Sequence, residues 1–368
     1  LILASIVLFS YILWRLLSRR REILLEQSKV ASHIENFTPA SNVVSISSIN
    51  VNALTTSNGI TDPMTAKQLK QFVIKASYHT CYTGSDLSAA MVTYALNRGY
   101  RWLDFCTTDG SAICYSNDDT LTGIQTQDSK KTQIPDFGAI ASQIAMHGFI
   151  SPDSPNSTDP IFIQIRPLYS STSSTENKNS NIMTNLTTMI NQLSTQYNLP
   201  VFSGAITNTT TIDQLMKKVI IVMDENNNTT NDSDNNKTNS TTLNNLVNLN
   251  SNDNIFMTSL PISQASGLKA PIPLTLADNF TTKPPDKIYQ FFPTGATANS
   301  DVYSTIQVIG SQITPMCIWA NDTPLANYEA IFNSANAGIV PLSTVLKFTK
   351  TNNPSVTQSS YPGAFAGK

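Results

Sequence analysis

The stretch Ala76–Leu87, ASYHTCYTGSDL, holds one of the three histidines of this chain, flanked by Ser77, Tyr78, Thr80 and Tyr82. An imidazole among hydroxyls suits general acid or base work, because histidine alone titrates near neutrality without help. A reaction that deprotonates one oxygen and protonates another needs a second proton-transfer group. His33 lies in a polar stretch near the start, and His147 falls at the end of a predicted helix, so neither is placed to be that partner. Metal chemistry also has little to work with. Cys81, Cys106, Cys114 and Cys317 lack the paired spacing of a zinc site, and the histidines do not complement them. They read as reduced, mostly buried thiols, since a chain this long and this poor in cysteine does not rest on a disulfide framework.

The elements that must position His79 alternate in type. QFVIKAS reads as a strand, and SDLSAAMVTYALNRG as an amphipathic helix that stops at Gly99. YRWLDFCT is the next strand, SAICYS a hairpin-like partner, and PDFGAIASQIAMHG a helix from Pro135 to Gly148. The fully apolar PIFIQIRP, the helix NIMTNLTTMINQLSTQY and the strand KVIIVMD follow. Later strands are expected at NIFMTS, KIYQFF, TIQVIG and QITPMCIW, with a helix at PLANYEAIFNSANAG. Apolar strands alternating with helices imply a parallel sheet with helices outside it. About eight such units favour a closed (β/α)8 barrel, here a distorted TIM barrel in the α/β class, over an open sheet.

The front end is of another kind. LILASIVLFSYILWRLLSRRREILLEQ begins with an apolar run to Trp14, and Arg15, Arg19, Arg20 and Arg21 follow it. The apolar residues surround a helix instead of lining one face, which argues against a coiled coil. The charge comes after the run, which argues against a cleaved signal peptide. Residues 1–26 are therefore expected to be an N-terminal transmembrane helix, truncated at its start, with a basic juxtamembrane segment. Positive-inside bias would put the rest of the chain on the cytoplasmic side. Residues 27–66, including the alternating NVVSISSINV, read as a tether, 67–350 as the barrel, and 351–368 as a tail. The polar low-complexity run ENNNTTNDSDNNKTNSTTLNN makes 225–253 a linker inside the barrel. With a net charge of −2 and 13% charged residues, the chain offers no basic surface for nucleic acid.

The order of these pieces resembles the phosphoinositide-specific phospholipase C family, whose catalytic barrel is split into X and Y halves by a polar linker. ASYHTCYTGSDL looks like the family's S-S-H-N-T-Y-x-x-G-x-Q-L, and RGYRWLDFCTTDG like R-G-C-R-x-V-E-L-D-x-W-D-G. ICYSNDDTLT resembles the Y-H-G-x-T-L-T turn, DPIFIQIRP stands where P-V-I-L-S-L-E-N would, and FFPTGATANSDVY resembles Y-P-x-G-x-R-x-D-S-S-N-Y. The resemblance runs from about Phe72 to Phe348 and implies a phosphodiesterase that uses two histidines and a calcium ion held by oxygen ligands.

Carried over position by position, the resemblance puts His79 in place of the first histidine and Thr80 in place of a calcium-binding asparagine. Asp104 replaces a ligand glutamate and would still be able to bind metal. Cys106 replaces a ligand aspartate, Arg166 the last ligand glutamate, and Ser116 the second histidine. The paired lysines of the family fall within Val222–Asp224, and its inositol-binding arginine becomes Gln290. What persists is framework: Gly84, Gly99, Arg101, Asp109, Gly110, Pro293, Gly295 and Gly310.

Three functions follow as expectations. The first is a membrane-anchored, non-catalytic phospholipase C-like barrel with no cofactor. Here His79, Asp104, Ser116 and Arg166 are vestigial, and the barrel acts as a structural or interaction protein. Composition and anchor suggest a minor capsid or inner-membrane protein of a large DNA virus, lying beneath the shell with capsid proteins as partners. The second is an active phosphoinositide phosphodiesterase, with Ca2+ or with Arg166 as a built-in substitute cation. The third is a lipid head-group module, for which Arg98, Arg101 and Arg166 are the candidate cations.

Overall fold

The computed structural model describes residues 67–116, 134–150, 154–168, 176–224, 241–251 (with 253), 255–259, 287–292, 299–320 and 322–352, together with Tyr11, Trp14 and Arg15. The expected tether, most of the anchor, the linker from 225 to 240 and the tail from 353 lie outside the described residues, as do Pro293 and Gly295. Among the described residues no helix is long and apolar enough to cross a membrane.

The chain is an α/β fold built on a mostly parallel sheet. Strand β1 (Phe72–Ile74) and β2 (Ala76–Ser77) are one extended run interrupted at Lys75, and helix α1 (Ala90–Asn97) follows. Then come β3 (Trp102–Thr107), β4 (Ile113–Cys114), α2 (Phe137–His147), β5 (Ile161–Pro167) and the long α3 (Glu176–Thr195). After the short α4 (Ile212–Leu215) come β6 (Val219–Met223), α5 (Thr241–Asn244), β7 (Leu249–Asn250), β8 (Phe256–Ser259) and β9 (Ile288–Phe291). The last part holds α6 (Val302–Ser304), a π-helical turn (Thr305–Ile309), α7 (Thr323–Ala335), β10 (Ile339–Pro341) and α8 (Leu342–Asn352).

The ladder β2-β3-β5-β6-β7 is parallel throughout, with β4 attached antiparallel to β3. Strands β8 and β9 form a second parallel pair. Single parallel bridges then link Gln290 to Ile313, Ile313 to Ile74, and Met316 to Ser77, which returns the series to its first strand. A continuous closed barrel was expected. Among the described residues no ladder joins β7 to β8, and the stretch 312–319 contributes bridges instead of a strand. Pro315 has no N–H to give to a ladder there, which accounts for the break.

The alternation of side chains splits the apolar residues into two cores. One packs Ile74, Ala76, Trp102, Phe162, Ile220, Val222, Leu249, Phe256, Ile288 and Ile313 together, one or two residues from each strand segment except β4. Their neighbours along the strands, such as Val73, Leu103, Phe105, Ile163, Ile165, Val219 and Ile221, pack outward against α1, α2, α3 and α7. Because successive strand side chains point to opposite faces, this division follows from the apolar runs themselves. Strand β10 pairs antiparallel with β1, Phe72 opposite Pro341 and Ile74 opposite Ile339, and Ile339 joins the inner core.

The segment TIQVIG was expected to be a strand and is helical. Asp301 caps it, its carboxylate accepting from the Tyr303 N–H at 3.1 Å and its carbonyl from the Thr305 hydroxyl at 2.9 Å. Gly310 ends it at φ +73°. The β-branched pattern looks like a strand, and a capping aspartate outweighs it.

Candidate functional site

The inner face turns polar toward the C-terminal ends of the strands. Trp102, Phe162 and Ile220 share one register level, Asp104, Gln164 and Val222 the next, and Cys106 and Arg166 the level above. This is the end of a parallel α/β sheet at which sites are ordinarily built. The resemblance supplied His79, Asp104 and Arg166 for this end, and they do come together.

Arg166 closes on Asp104 with two parallel bonds, Nε to Oδ1 at 2.6 Å and Nη2 to Oδ2 at 2.7 Å. Both residues are fully buried. The Asp104 Oδ2 also accepts the His79 backbone N–H at 2.9 Å. The guanidinium carbon sits 4.7 Å from the Tyr78 ring centre and 5.0 Å from that of Phe292, a cation facing two neighbouring aromatic rings whose own centres are 5.5 Å apart. A bidentate pair of this kind holds both charges in one geometry.

His79 is 2% exposed and stands at φ +43°, a left-handed backbone that few non-glycine residues adopt. Its ring lies edge-on to Tyr78 and Tyr115, with centroids 4.3 and 4.9 Å away. Its Nε2 is 3.3 Å from Arg166 Nη2. A guanidinium nitrogen only donates, so in this contact Nε2 is the acceptor. Tyr115 in turn stacks on Tyr82 at 3.6 Å, and Trp319 stands edge-on to Tyr82 at 4.9 Å. Ser116, next along the chain from Tyr115, is buried. Thr80 is also committed: its hydroxyl lies 2.6 Å from the Ser77 hydroxyl and accepts the Asp104 N–H at 2.9 Å.

Below the ion pair an amide network fills the interior. Gln164 and Gln290 exchange bonds at 3.0 and 2.5 Å, Trp102 Nε1 donates to Gln164 at 2.5 Å, and Gln164 donates to Asp224 at 3.3 Å. Sequence reasoning gave Gln290 and Asp224 only as replacements of cations and left out Gln164, Trp102, Tyr115 and Trp319. The signal for the first two was available: Trp102-Asp104-Cys106 and Phe162-Gln164-Arg166 alternate on one face of their strands.

Two expected cations of a head-group site are elsewhere. Arg98 lies beyond the C-terminal end of α1, where its Nε meets Glu329 at 3.3 Å. Lys75 donates to the same carboxylate and to the Arg98 carbonyl, and Tyr100 donates to it at 2.7 Å. Burial works against the Glu329 charge, and attraction to Lys75 and Arg98 outweighs it, so the carboxyl ends below its usual range. Arg101, at the start of β3, donates to the Gly148 carbonyl at 2.9 Å and to Ser154 and Asn156. Burial brings its pKa down to about 10 despite the attraction of Asp159. Arg101 is thus a clamp at the opposite end of the strands from His79. His147 sits half-buried at the end of α2, and the four cysteines are all buried thiols.

The carried-over framework behaves as turns. Asp109 Oδ1 accepts from the Ser111 and Ala112 N–H groups at 2.8 Å each, and Gly110 at φ +79° lies so close to α3 that a Cβ would meet the Ile182 carbonyl at 2.4 Å.

No protein-family profile matches the chain, and no curated protein matches it. Among solved structures it is similar to the crystal structures of L. pealei PLC21 and S. officinalis PLC21, at 13% and 14% identity, each with a TM-score of 0.47. In both cases 75% of this chain is covered, and the chain spans 37% of the length of the other. A calcium-dependent phosphoinositol-specific phospholipase C from a Gram-negative Pseudomonas species also matches, at 10% identity and a TM-score of 0.34, with 76% of this chain and 97% of that one covered.

Proposed function

We propose that this chain is a non-catalytic phospholipase C-like barrel that serves as a structural or interaction protein. The observation that carries the reading is the Asp104–Arg166 pair. Both oxygens of the one carboxylate carried over as a metal ligand are filled by a guanidinium and a backbone N–H. A cation brought there would have to displace a buried arginine. The same arginine occupies the Nε2 lone pair that a general base would use. Support for a barrel, in place of an open sheet, comes from the inner core, which gathers Ala76, Trp102, Phe162, Ile220 and Leu249 of the central ladder with Ile74, Phe256, Ile288 and Ile313 outside it.

Hydrolysis of phosphatidylinositol vesicles by the full chain, with and without Ca2+, tests the reading. The expected result is no turnover above a His79→Ala control and no Ca2+-dependent shift of the melting temperature. Turnover that disappears with His79→Ala would replace the proposal with an active phosphodiesterase. The observation on that side is the guanidinium 3.3 Å from the imidazole, a fixed cation where a metal-independent reaction would use one.

Attachment to a membrane rests on the sequence of residues 1–26 and the arginines that follow the apolar run. A place beneath the shell of a large viral particle rests on that anchor and on composition. Detergent extraction of particles followed by cross-linking tests both. Absence of the chain from particles, or extraction by salt alone, would overturn them.

A further inference from the structure

Two thiols that the reading above does not use stand directly opposite each other. Cys106 on β3 and Cys114 on β4 are register partners in an antiparallel pair. Residues so placed have side chains on the same face and Cα atoms about 4.5–5.5 Å apart. That lies inside the roughly 4.4–6.8 Å that a disulfide spans. Both are buried thiols, and with Leu168 they form a small cluster of their own.

The turn between them holds the register. Asp109 Oδ1 accepts two backbone N–H groups, the Thr107 hydroxyl donates to the Ala112 carbonyl at 2.8 Å, and Gly110 takes the left-handed position. Strand β4 is two residues long, paired with β3 on one side and held on the other by the Ile113 N–H, which donates to the Pro135 carbonyl at 3.0 Å; a ladder this short opens to a small oxidant more readily than the longer central ones. Cys81 and Cys317 lie outside the described strands.

We propose that Cys106 and Cys114 are a redox-active pair that a peroxide oxidises to a cross-strand disulfide. One sulfur, as thiolate, attacks a peroxide oxygen. The O–O bond breaks, a sulfenic acid forms, and the departing hydroxide takes up the thiol proton as water. The second sulfur then displaces the sulfenic hydroxyl. The S–O bond breaks, the S–S bond forms, and a second water carries away the remaining proton. The two sulfurs together give up two electrons, which the peroxide takes. The bridge fastens Tyr115, the residue after Cys114, in place beside His79.

The test treats the full chain with hydrogen peroxide, quenches it, denatures it, and counts thiols by maleimide mass tagging with non-reducing peptide mapping. Two of the four tags should be lost, a linked peptide should join Cys106 to Cys114, and dithiothreitol should restore both tags. Cys114→Ala should abolish the linked peptide, whereas Cys81→Ala should retain it. Four tags after oxidation, a link involving Cys81 or Cys317, or sulfinic acid without a link would each overturn the proposal. The mapping of the unsubstituted chain decides the matter even where Cys114→Ala fails to fold.

Discussion

Arg166 and Asp104 neutralise each other out of water, and such pairs respond very differently to losing one member or both. Arg166→Met leaves a buried, uncompensated carboxylate and is expected to cost about 3–5 kcal/mol. Adding Asp104→Leu should recover part of that loss, short of all of it because the His79 N–H then has no acceptor. Urea denaturation of the two single variants and the double variant measures the coupling, expected at about 0.5–3 kcal/mol. Strictly additive losses would mean that the pair carries no interaction of its own. At this scale the family resemblance singled out His79, Asp104 and Arg166 but left Asp104 able to take a metal. The side-chain angle that turns Arg166 diagonally onto Asp104, one register level below it, has no signature in residue spacing.

Helix α7 is tied to the first strand by charge as well as by packing. Its Glu329 meets Lys75, in the gap between β1 and β2, and the Tyr328 hydroxyl accepts the Ala76 N–H at 2.7 Å. A carboxyl depressed on folding contributes stability that is complete above its unfolded value, about 4.3, and is lost as pH falls through the lower folded value. Stability should therefore drop in acid, and Glu329→Gln should flatten that part of the profile while lowering stability at neutral pH. Urea midpoints between pH 3 and 7 would show it, and an unchanged acid limb in the variant would refute it. A second element contact is just as tight: a Cβ on Gly338 would meet the Gly99 carbonyl at 2.1 Å. Gly338→Ala should cost about 1–3 kcal/mol by overpacking. Most elements were legible because apolar runs, Pro135, Gly99 and Gly148 punctuate them. TIQVIG was misread because its β-branched residues outweighed the cap at Asp301, and β7 and β10, with Leu249–Asn250 and Ile339–Pro341, are too short to leave a periodic trace.

At the largest scale the described strands present two faces, one lined by the inner core and the other covered by helices. Trp102 belongs to the inside, stacked on Phe162 at 5.0 Å and bonded to Gln164. Trp102→Ala should cost about 3–5 kcal/mol, and more than a substitution on the outer helices away from the cores. Amide hydrogen exchange should find β3, β5 and β6 best protected and β4 and β7 least, following the length of their ladders. Uniform protection would contradict the division. The α/β class and the parallel sheet were readable from alternation, but the closed barrel expected from the number of units has no matching ladder, since among the described residues none joins β7 to β8.

The antiparallel pairing of Phe72 with Pro341 places the way into the domain and the way out of β10 at the same end of one short ribbon. A tug between the two ends of the chain, once α8 has peeled away, would act across that ribbon and rupture its bonds in succession, as a zipper parts, never all at once. Optical-tweezer extension should register a soft early yield at this seam well before the central strands give way under shear.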